Sequence, residues 1–153
     1  MHAMGTDKAF MELALEQARR ARDAREVPVG AVLVRAGQGI ATGANRPIGG
    51  CDPTAHAEIE ALRAGAIALG SYRLNATELY VTLEPCLMCA AAIVHARVRR
   101  VVFGAWDPRA GAAGSLIDAF ALPALNHRVD VFGGVLQEEC AALLTEFFEP
   151  RRR

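Results

Sequence analysis

The chain has 153 residues, a length typical of one domain, and its composition of 52% hydrophobic and 22% charged residues excludes a disordered chain. Seventeen basic and seventeen acidic residues give zero formal net charge, so overall charge does not indicate nucleic-acid or membrane binding, although local arginine patches remain open. No apolar run approaches the roughly 20 residues of a membrane-spanning helix. We expect a single domain over residues 1–153 in the cytoplasm, with four cysteines suited to metal binding or burial.

The first half of the sequence predicts a helix, a β-hairpin and a second helix. Apolar residues recur at steps of three and four from near Asp7 onward, which is typical of an amphipathic helix. Residues 29–34 are apolar and rich in valine, and turn-forming residues separate them from a returning, antiparallel strand at residues 40–45. Asp52-Pro53-Thr54 is typical of a helix entrance, with the aspartate or the threonine as cap, for a helix over residues 55–69.

The second half alternates strands with helices. In chain order it predicts a strand at residues 79–83, a helix at 85–96, a strand at 100–103, a short helix at 115–120, a strand at 129–132 and a helix at 135–148. A glycine-rich loop occupies residues 104–114. A helix between two strands indicates a β-α-β crossover, which makes those strands a parallel pair. We expect an α/β fold in which helices flank a central mixed five-stranded sheet.

Two short motifs place metal-binding side chains near the predicted starts of two helices. His56 opens a His-Ala-Glu tripeptide, and Pro85-Cys86-Leu87-Met88-Cys89 follows the next predicted strand. Cys86 and Cys89 are three residues apart, so both can reach one ion from a single helical turn. One imidazole and two thiolates fill three corners of a tetrahedral zinc site and leave the fourth for a reactive water. A catalytic zinc site is the first hypothesis, with iron as an alternative ion.

Glu58 is the candidate catalytic residue of this site. It lies two residues after His56, and residues two apart on a helix do not share a face, so the carboxylate is directed away from the ligand position. A carboxylate that is not bound to the ion can act first as general base and then as general acid toward water and substrate. The sequence therefore predicts hydrolytic zinc chemistry with Glu58 as the proton carrier.

The two motifs together resemble the signature of the zinc nucleobase deaminases, in which H-x-E is followed by P-C-x-x-C. Further segments resemble the bacterial tRNA-specific adenosine deaminases in particular. They are EVPVGAV at residues 26–32, NRP at 45–47, DPTAHAE at 52–58, YVTLEPC at 80–86 and GAAGS at 111–115. The similarity runs from about residue 7 to residue 150.

The resemblance implies a three-layer cytidine-deaminase-like fold and a homodimer with one zinc ion per subunit. It also implies hydrolytic deamination of adenosine to inosine at the wobble position of a tRNA anticodon. The expected partner is a tRNA anticodon stem-loop, with an arginine tRNA as the expected species, whose target base is extruded into the zinc pocket.

The resemblance also implies substrate-binding residues. Val29 and Asn45 match positions that line the base and contact the flipped nucleoside, Ala55 is a further candidate, and Asp107 matches a position near the anticodon backbone. From the residues alone, Val29 is an ordinary strand residue, Asn45 a turn former and Asp107 a loop cap. Trp106 departs from the polar residue expected there, and its indole can either stack on a base or pack inward.

Other interpretations stay open from the sequence. A deaminase of a free nucleobase or nucleotide would share the same zinc chemistry, although the EVPVGAV and GAAGS segments favour the tRNA enzymes. A non-catalytic RNA-docking subunit and a purely structural zinc module would both leave Glu58 without a role. The arginines at residues 151–153 either contact phosphates of the tRNA stem or form a solvated tail.

Overall fold

The five strands lie in the order β2-β1-β3-β4-β5 in a computed structural model, which describes residues 4–150. The strands are β1 Gly30–Arg35, β2 Gln38–Ala44, β3 Thr77–Leu83, β4 Arg100–Ala105 and β5 Asp130–Gly133. β1 pairs antiparallel with both β2 and β3, whereas the β3–β4 and β4–β5 pairs are parallel. The predicted mixed five-stranded sheet and its parallel crossover pair are therefore confirmed.

Helices cover both faces of this sheet. The helices of the described part of the chain are α1 Met4–Asp23, α2 Pro47–Gly50, α3 Ala57–Leu69, α4 Leu87–His95, α5 Gln137–Phe148 and a 3-10 turn at Ala119–Ala121. Successive strand residues point to opposite faces, so Val102 packs with α1 and α5 while its neighbour Val101 packs with α3 and α4. Each face thus has its own apolar core, and the predicted three-layer arrangement is confirmed.

The start of α3 differs from the sequence prediction. The helix begins at Ala57, with His56 in extended conformation at its N-cap, so the predicted cap at Asp52 or Thr54 is wrong. The Asp52 carboxylate instead accepts hydrogen bonds from the Thr54 backbone N–H at 2.9 Å and from its hydroxyl at 2.7 Å. This local turn satisfies the Asp52 side chain before the helix starts, and it keeps Pro53 outside the helix.

The starts of three other helices also differ. α1 begins at Met4 instead of near Asp7. α4 begins at Leu87, two residues after the predicted start, because Cys86 is extended and occupies the N-cap. α5 begins at Gln137 because Leu136 adopts a left-handed conformation with φ of 51°, which no continuous right-handed helix can pass through.

Two short elements depend on contacts that the sequence pattern does not show. The predicted helix at residues 115–120 is wrong: hydrogen bonds from Ser115 to the distant Glu84 hold the start of this segment in a loop, and only a 3-10 turn at Ala119–Ala121 forms. The four-residue α2 is present without having been predicted. Its Ile48 and Gly49 backbone N–H groups donate to the two carboxylate oxygens of Glu26, at 3.2 and 2.7 Å.

Gly43 allows α3 to approach the sheet closely. A Cβ atom at this position in β2 would lie 2.1 Å from the backbone oxygen of Ala57, the first residue of α3. A backbone atom cannot move aside as a flexible side chain does, so only glycine fits here. The start of α3, and with it His56, is thereby seated directly against the sheet.

A buried ion pair ties α1 to the middle of the sheet. The Arg100 guanidinium donates to the Asp7 carboxylate at 2.8 Å and to the Glu78 carboxylate at 3.0 Å. The hydroxyl of Tyr80 donates to the same Asp7 carboxylate at 2.7 Å. The arginine also lies over the ring of Phe132, 4.6 Å from its centroid. Each charged group of the cluster thus has a charged partner inside the protein.

We predict that Arg100→Leu lowers the free energy of unfolding by about 3 kcal/mol, because it removes the buried cation that lies between the Asp7 and Glu78 carboxylates. Arg99→Leu is the matched control, since Arg99 also pairs with Glu78 but its side chain is 55% exposed. The control should cost less than about 1 kcal/mol. Urea unfolding of both variants followed by circular dichroism measures the difference, and equal losses would contradict the assignment.

Candidate active site

The topology brings four strand ends to one edge of the sheet. In the antiparallel pair, Gly30 at the start of β1 lies opposite Ala44 at the end of β2. In the parallel pair, Leu83 at the end of β3 lies beside Ala105 at the end of β4. The Gly30 backbone N–H also donates to the hydroxyl of Thr82 at 3.1 Å, which joins the two halves of this edge. The chain leaving β3 enters α4 here, and the chain leaving β2 reaches α3 through α2.

His56, Cys86 and Cys89 converge at this edge. The Nδ1 atom of His56 lies 3.6 Å from the Cys86 sulfur and 3.5 Å from the Cys89 sulfur. The three ligand atoms all lie within 4.8 Å of one another. Ligand distances of about 2.0 Å to nitrogen and 2.3 Å to sulfur in a tetrahedral zinc site place nitrogen and sulfur roughly 3.5 Å apart. The observed spacing and the donor atoms therefore fit a zinc ion.

Two of these residues occupy equivalent positions on different helices. His56 is the N-cap of α3 and Cys86 is the N-cap of α4, and neither side chain makes a capping hydrogen bond. Both side chains are therefore free to face the ion. Cys89, in the first turn of α4, is fully buried and supplies the third donor.

The pKa values of Cys86 and Cys89 shift in opposite directions because one sulfur donates a hydrogen bond to the other. A hydrogen bond from Cys89 lowers the pKa of Cys86 to about 4, and the nearby His56 ring supports the same shift. The same hydrogen bond, together with burial, raises the pKa of Cys89. One thiolate is thus present at neutral pH, which favours capture of a cation that then displaces the second proton.

Glu58 lies in the first turn of α3 and is 4% exposed. Burial raises the pKa of its carboxyl group to about 7, and the negative charge of Cys86 contributes in the same direction. Its own backbone N–H and the His56 ring partly oppose that shift. A carboxyl group with this pKa changes its protonation state readily near neutral pH, as a general base and acid must.

The structure brings three of the four proposed substrate-binding residues together. The Asn45 backbone N–H donates to the Val29 oxygen at 3.0 Å, and the Arg46 N–H donates to the Ala55 oxygen at 2.9 Å. Since Ala55 precedes His56, this backbone network links all three positions to the metal-ligand cluster. Val29, Asn45 and Ala55 are all buried.

Asp107 and Trp106 follow β4 at the same edge. The Asp107 carboxylate accepts hydrogen bonds from the backbone N–H groups of Arg109 and Ala110, at 3.1 and 3.3 Å, so it caps the following loop. The Trp106 indole packs edge-on against Phe103, with ring centroids 4.7 Å apart, and remains 44% exposed. It therefore both packs inward and presents surface to solvent. Residues 151–153 lie outside the described part of the chain.

Two glutamates that the sequence analysis did not single out support the loops around the site. Glu26 holds α2, as described above, and Glu84 accepts hydrogen bonds from the loop after β4. Burial alone would raise the pKa of Glu84, but the hydrogen bonds that it accepts, led by that of Ser115, lower it. The signals in the sequence are an acidic residue at the edge of a buried apolar segment and its place within the EVPVGAV and YVTLEPC segments.

The fold and the ligand set define a zinc deaminase of the cytidine deaminase-like class. The family described as "Cytidine and deoxycytidylate deaminase zinc-binding region" matches residues 4–105. The chain is 50% identical to a tRNA-specific adenosine deaminase of Agrobacterium fabrum, over 94% of both chains. It is 43% identical to that of Bacillus subtilis, over 98% of this chain and 93% of the relative. The chain belongs to the family of tRNA-specific adenosine deaminases.

Solved structures support the same relationship. A structure from a study of A-to-I editing by tRNA:A34 deaminases at the wobble position superposes with a TM-score of 0.87 at 51% identity, covering 89% of this chain and 99% of that one. A guanine deaminase from Nitrosomonas europaea superposes with a TM-score of 0.80 at 29% identity, covering 92% and 83%. In residues 4–150, no helix is both long enough and apolar enough to cross a membrane.

Loss of a residue that only supports a metal ligand weakens metal binding roughly 10–100-fold. We predict a larger loss of zinc affinity for Cys89→Ala, because this variant removes one of the three donor atoms. The Cys51→Ala variant is the matched control, because Cys51 is exposed and lies outside the ligand cluster. Competition with a chromogenic chelator, followed by metal analysis, measures both affinities. Equal zinc affinity of the two variants would exclude Cys89 as a ligand.

Proposed function

We infer that this protein is a zinc-dependent hydrolase that converts adenosine to inosine at the wobble position of a tRNA anticodon. The observation that carries this conclusion is a three-donor metal cluster beside buried Glu58, in a chain that shares 50% identity with a tRNA-specific adenosine deaminase over nearly its whole length. We propose an arginine tRNA as the substrate and the cytoplasm as the place of action. The free cysteines of the described chain suit a reducing compartment.

Glu58 carries the protons in the proposed mechanism. His56, Cys86 and Cys89 would hold a zinc ion, which would make water a nucleophile near neutral pH. Glu58 accepts a proton from the attacking water and delivers it to N1 of adenine as C6 is attacked. It then takes the remaining proton of that water from the new C6 hydroxyl and passes it to the amine, so that the C6–N bond breaks, ammonia leaves and inosine remains. A carboxyl pKa of about 7 suits both transfers, since neither protonation state is strongly favoured.

We propose that Val29, Asn45 and Ala55 form one wall of the pocket for the extruded base, and that Asp107 lies on the opposite side near the anticodon backbone. The backbone hydrogen bond between Asn45 and Val29 supports a common wall, because it fixes the two residues side by side. The end of β4, which precedes Asp107, lies beside the end of β3, which precedes Cys86. Substrate held between these elements would face the ion.

A deaminase of a free nucleobase is the alternative function. It would use the same ligands and the same proton carrier, and the guanine deaminase from Nitrosomonas europaea shares this fold. Sequence identity distinguishes the two functions, because this chain is 29% identical to that enzyme and 50% identical to the tRNA-specific enzyme of Agrobacterium fabrum. The tRNA substrate is therefore the better-supported proposal.

We predict that the zinc-loaded protein forms inosine in an arginine-tRNA anticodon stem-loop with a wobble adenosine, and that Glu58→Gln lowers this rate by at least about 100-fold. The variant should retain its zinc, because Glu58 is outside the ligand set. Glu60→Gln is the matched control on the same helix and should keep near-normal activity. Inosine and ammonia are measured, and zinc content is determined for each protein.

Free adenosine, cytidine and guanine serve as competing substrates in the same assay. Turnover of a free base without turnover of the stem-loop would transfer the assignment to the nucleobase deaminases. Near-normal activity of the Glu58→Gln protein would overturn the role of Glu58 while leaving the substrate assignment intact.

We also propose that the protein forms a homodimer through the outer face of α3 and α4. An apolar cleft of about 420 Å³ lies between these helices. Its lining is mostly apolar and also includes two polar side chains: Ile59, Leu62, Arg63, Ala66, Tyr72, Leu74, Ala92, His95 and Ala96. Tyr72 is 74% exposed in the single chain, so a second copy would remove a large aromatic surface from water.

We predict that Ala66→Glu converts the dimer to monomers, because it introduces a charge into this apolar cleft. Ala142→Glu is the matched control, since Ala142 is exposed on α5, on the other side of the sheet. Sedimentation equilibrium at micromolar concentration distinguishes the two. A wild-type protein that sediments as a monomer would contradict the proposal, as would a dimer in both variants.

A further inference from the structure

Glu84 connects the metal-ligand segment to the loop that follows β4. It lies directly before Pro85-Cys86, and it is only 2% exposed. We propose that Glu84 is a positioning residue that holds residues 107–115 in the place from which this loop contacts the anticodon. This inference rests on the proposed function, and it extends that function to a residue that touches neither the ion nor the substrate.

Both carboxylate oxygens of Glu84 are used. Its Oε1 atom accepts a hydrogen bond from the Asp107 backbone N–H at 2.9 Å and another from the Ser115 hydroxyl. Its Oε2 atom accepts from the backbone N–H groups of Ala113 at 2.9 Å and Ser115 at 3.0 Å. One side chain therefore holds the first and the last residue of the loop at the same time.

Backbone contacts strengthen the same connection. The Glu84 N–H donates to the Ala105 oxygen at 2.8 Å, and the Ala112 N–H donates to the Pro85 oxygen at 2.7 Å. The loop also closes on itself, since the Gly111 N–H donates to the Asp107 oxygen at 2.8 Å. The loop thus wraps around the Glu84 side chain and contacts the residue before Cys86.

Gly111 shows how tightly the loop encloses the carboxylate. A Cβ atom at this position would lie 2.3 Å from Cδ of Glu84 and 2.5 Å from the Asp107 oxygen. A side chain on residue 111 would push the carboxylate away from its donors, so a glycine is required by the close approach. This requirement gives a physical reason for the glycine that opens the GAAGS segment.

The charge of Glu84 matters because all four of its partners offer a proton. A carboxylate is an acceptor at both oxygens, whereas a carboxamide has one acceptor and one donor group. A glutamine here can keep its oxygen toward Ala113 and Ser115, and the Ser115 hydroxyl can turn to accept from the amide. The backbone N–H of Asp107 would then face the NH2 group of the glutamine, which is also a donor. The substitution therefore releases the Asp107 end of the loop.

A displaced Asp107 should affect RNA binding more than chemistry. The ligands His56, Cys86 and Cys89 receive no hydrogen bond from the Glu84 side chain, and Glu58 belongs to a different helix. The proton carrier and the ion therefore keep their places when the loop loosens. The expected signature is a raised KM for the stem-loop with a nearly unchanged kcat and zinc content.

The test compares Glu84→Gln with Glu138→Gln, an exposed glutamate on α5 that serves as the matched control. We expect Glu84→Gln to raise KM for the anticodon stem-loop about tenfold, with kcat changed less than about threefold. The Ser115→Ala variant loses only the hydroxyl contact and should raise KM less. The control should match the wild-type protein, and all four proteins should carry one zinc per chain.

Hydrogen exchange gives a second readout that does not depend on activity. In the zinc-loaded wild-type protein, the amides of Asp107, Ala113 and Ser115 should exchange slowly, and in Glu84→Gln the Asp107 amide should lose most of its protection. If the variant fails to fold, wild-type exchange and Ser115→Ala still decide the matter. Fast exchange of these three amides in the wild-type protein would overturn the proposal.

The outcomes separate this inference from the proposed function. A wild-type protein that leaves the stem-loop unchanged would remove the function itself. An active wild-type protein with an unchanged KM in Glu84→Gln would remove only the positioning role. A loss of kcat and zinc together in that variant would instead assign Glu84 to the metal site, which also contradicts loop positioning.

Discussion

The structure depends on bringing His56 within reach of Cys86, which lies 30 residues further along the chain. Both residues are helix N-caps, and the two helices start at the same edge of the sheet. The partial positive charge of two helix ends meets there, which favours the Cys86 thiolate before an ion is bound. An ion then adds a direct link between the two helices, so metal binding and the packing of α3 and α4 stabilise one another.

That convergence requires the sheet and helices to be held closely in register. Gly43 lets the first turn of α3 lie against β2, and the Arg100 cluster joins α1 to β3 and β4 from the opposite face. The Gly43 contact is steric and the Arg100 contact is electrostatic. Each of them fixes a helix to the sheet at one position. A shift of α3 or α4 along the sheet would change the His56–Cys86 distance, because the two residues are the N-caps of these helices.

The sequence predicted the strands, the crossover and the metal-ligand set because each has a local signature. Alternating or continuous apolar segments mark strands, and the Cys86–Cys89 spacing of three residues marks a shared helical turn. The loops around the site were not predictable in this way. The segment after Gly111 has helix-forming residues, yet hydrogen bonds to Glu84 hold it as a loop, and α2 depends on Glu26. Those partners are distant in sequence, so no local pattern contains them.

Glu58 and Glu84 differ in the hydrogen-bond donors around their carboxyl groups, and we infer different roles for them. Both side chains are almost completely buried, and burial alone raises the pKa of each. Glu84 accepts four hydrogen bonds, which outweigh burial and keep it ionised, whereas Glu58 accepts too few to prevent a pKa of about 7. A permanent anion is suited to hold a loop, and a carboxyl group that exchanges its proton near neutral pH is suited to catalysis. The number of donors around each carboxylate therefore separates the glutamate that we propose holds the loop from the one that we propose carries the protons.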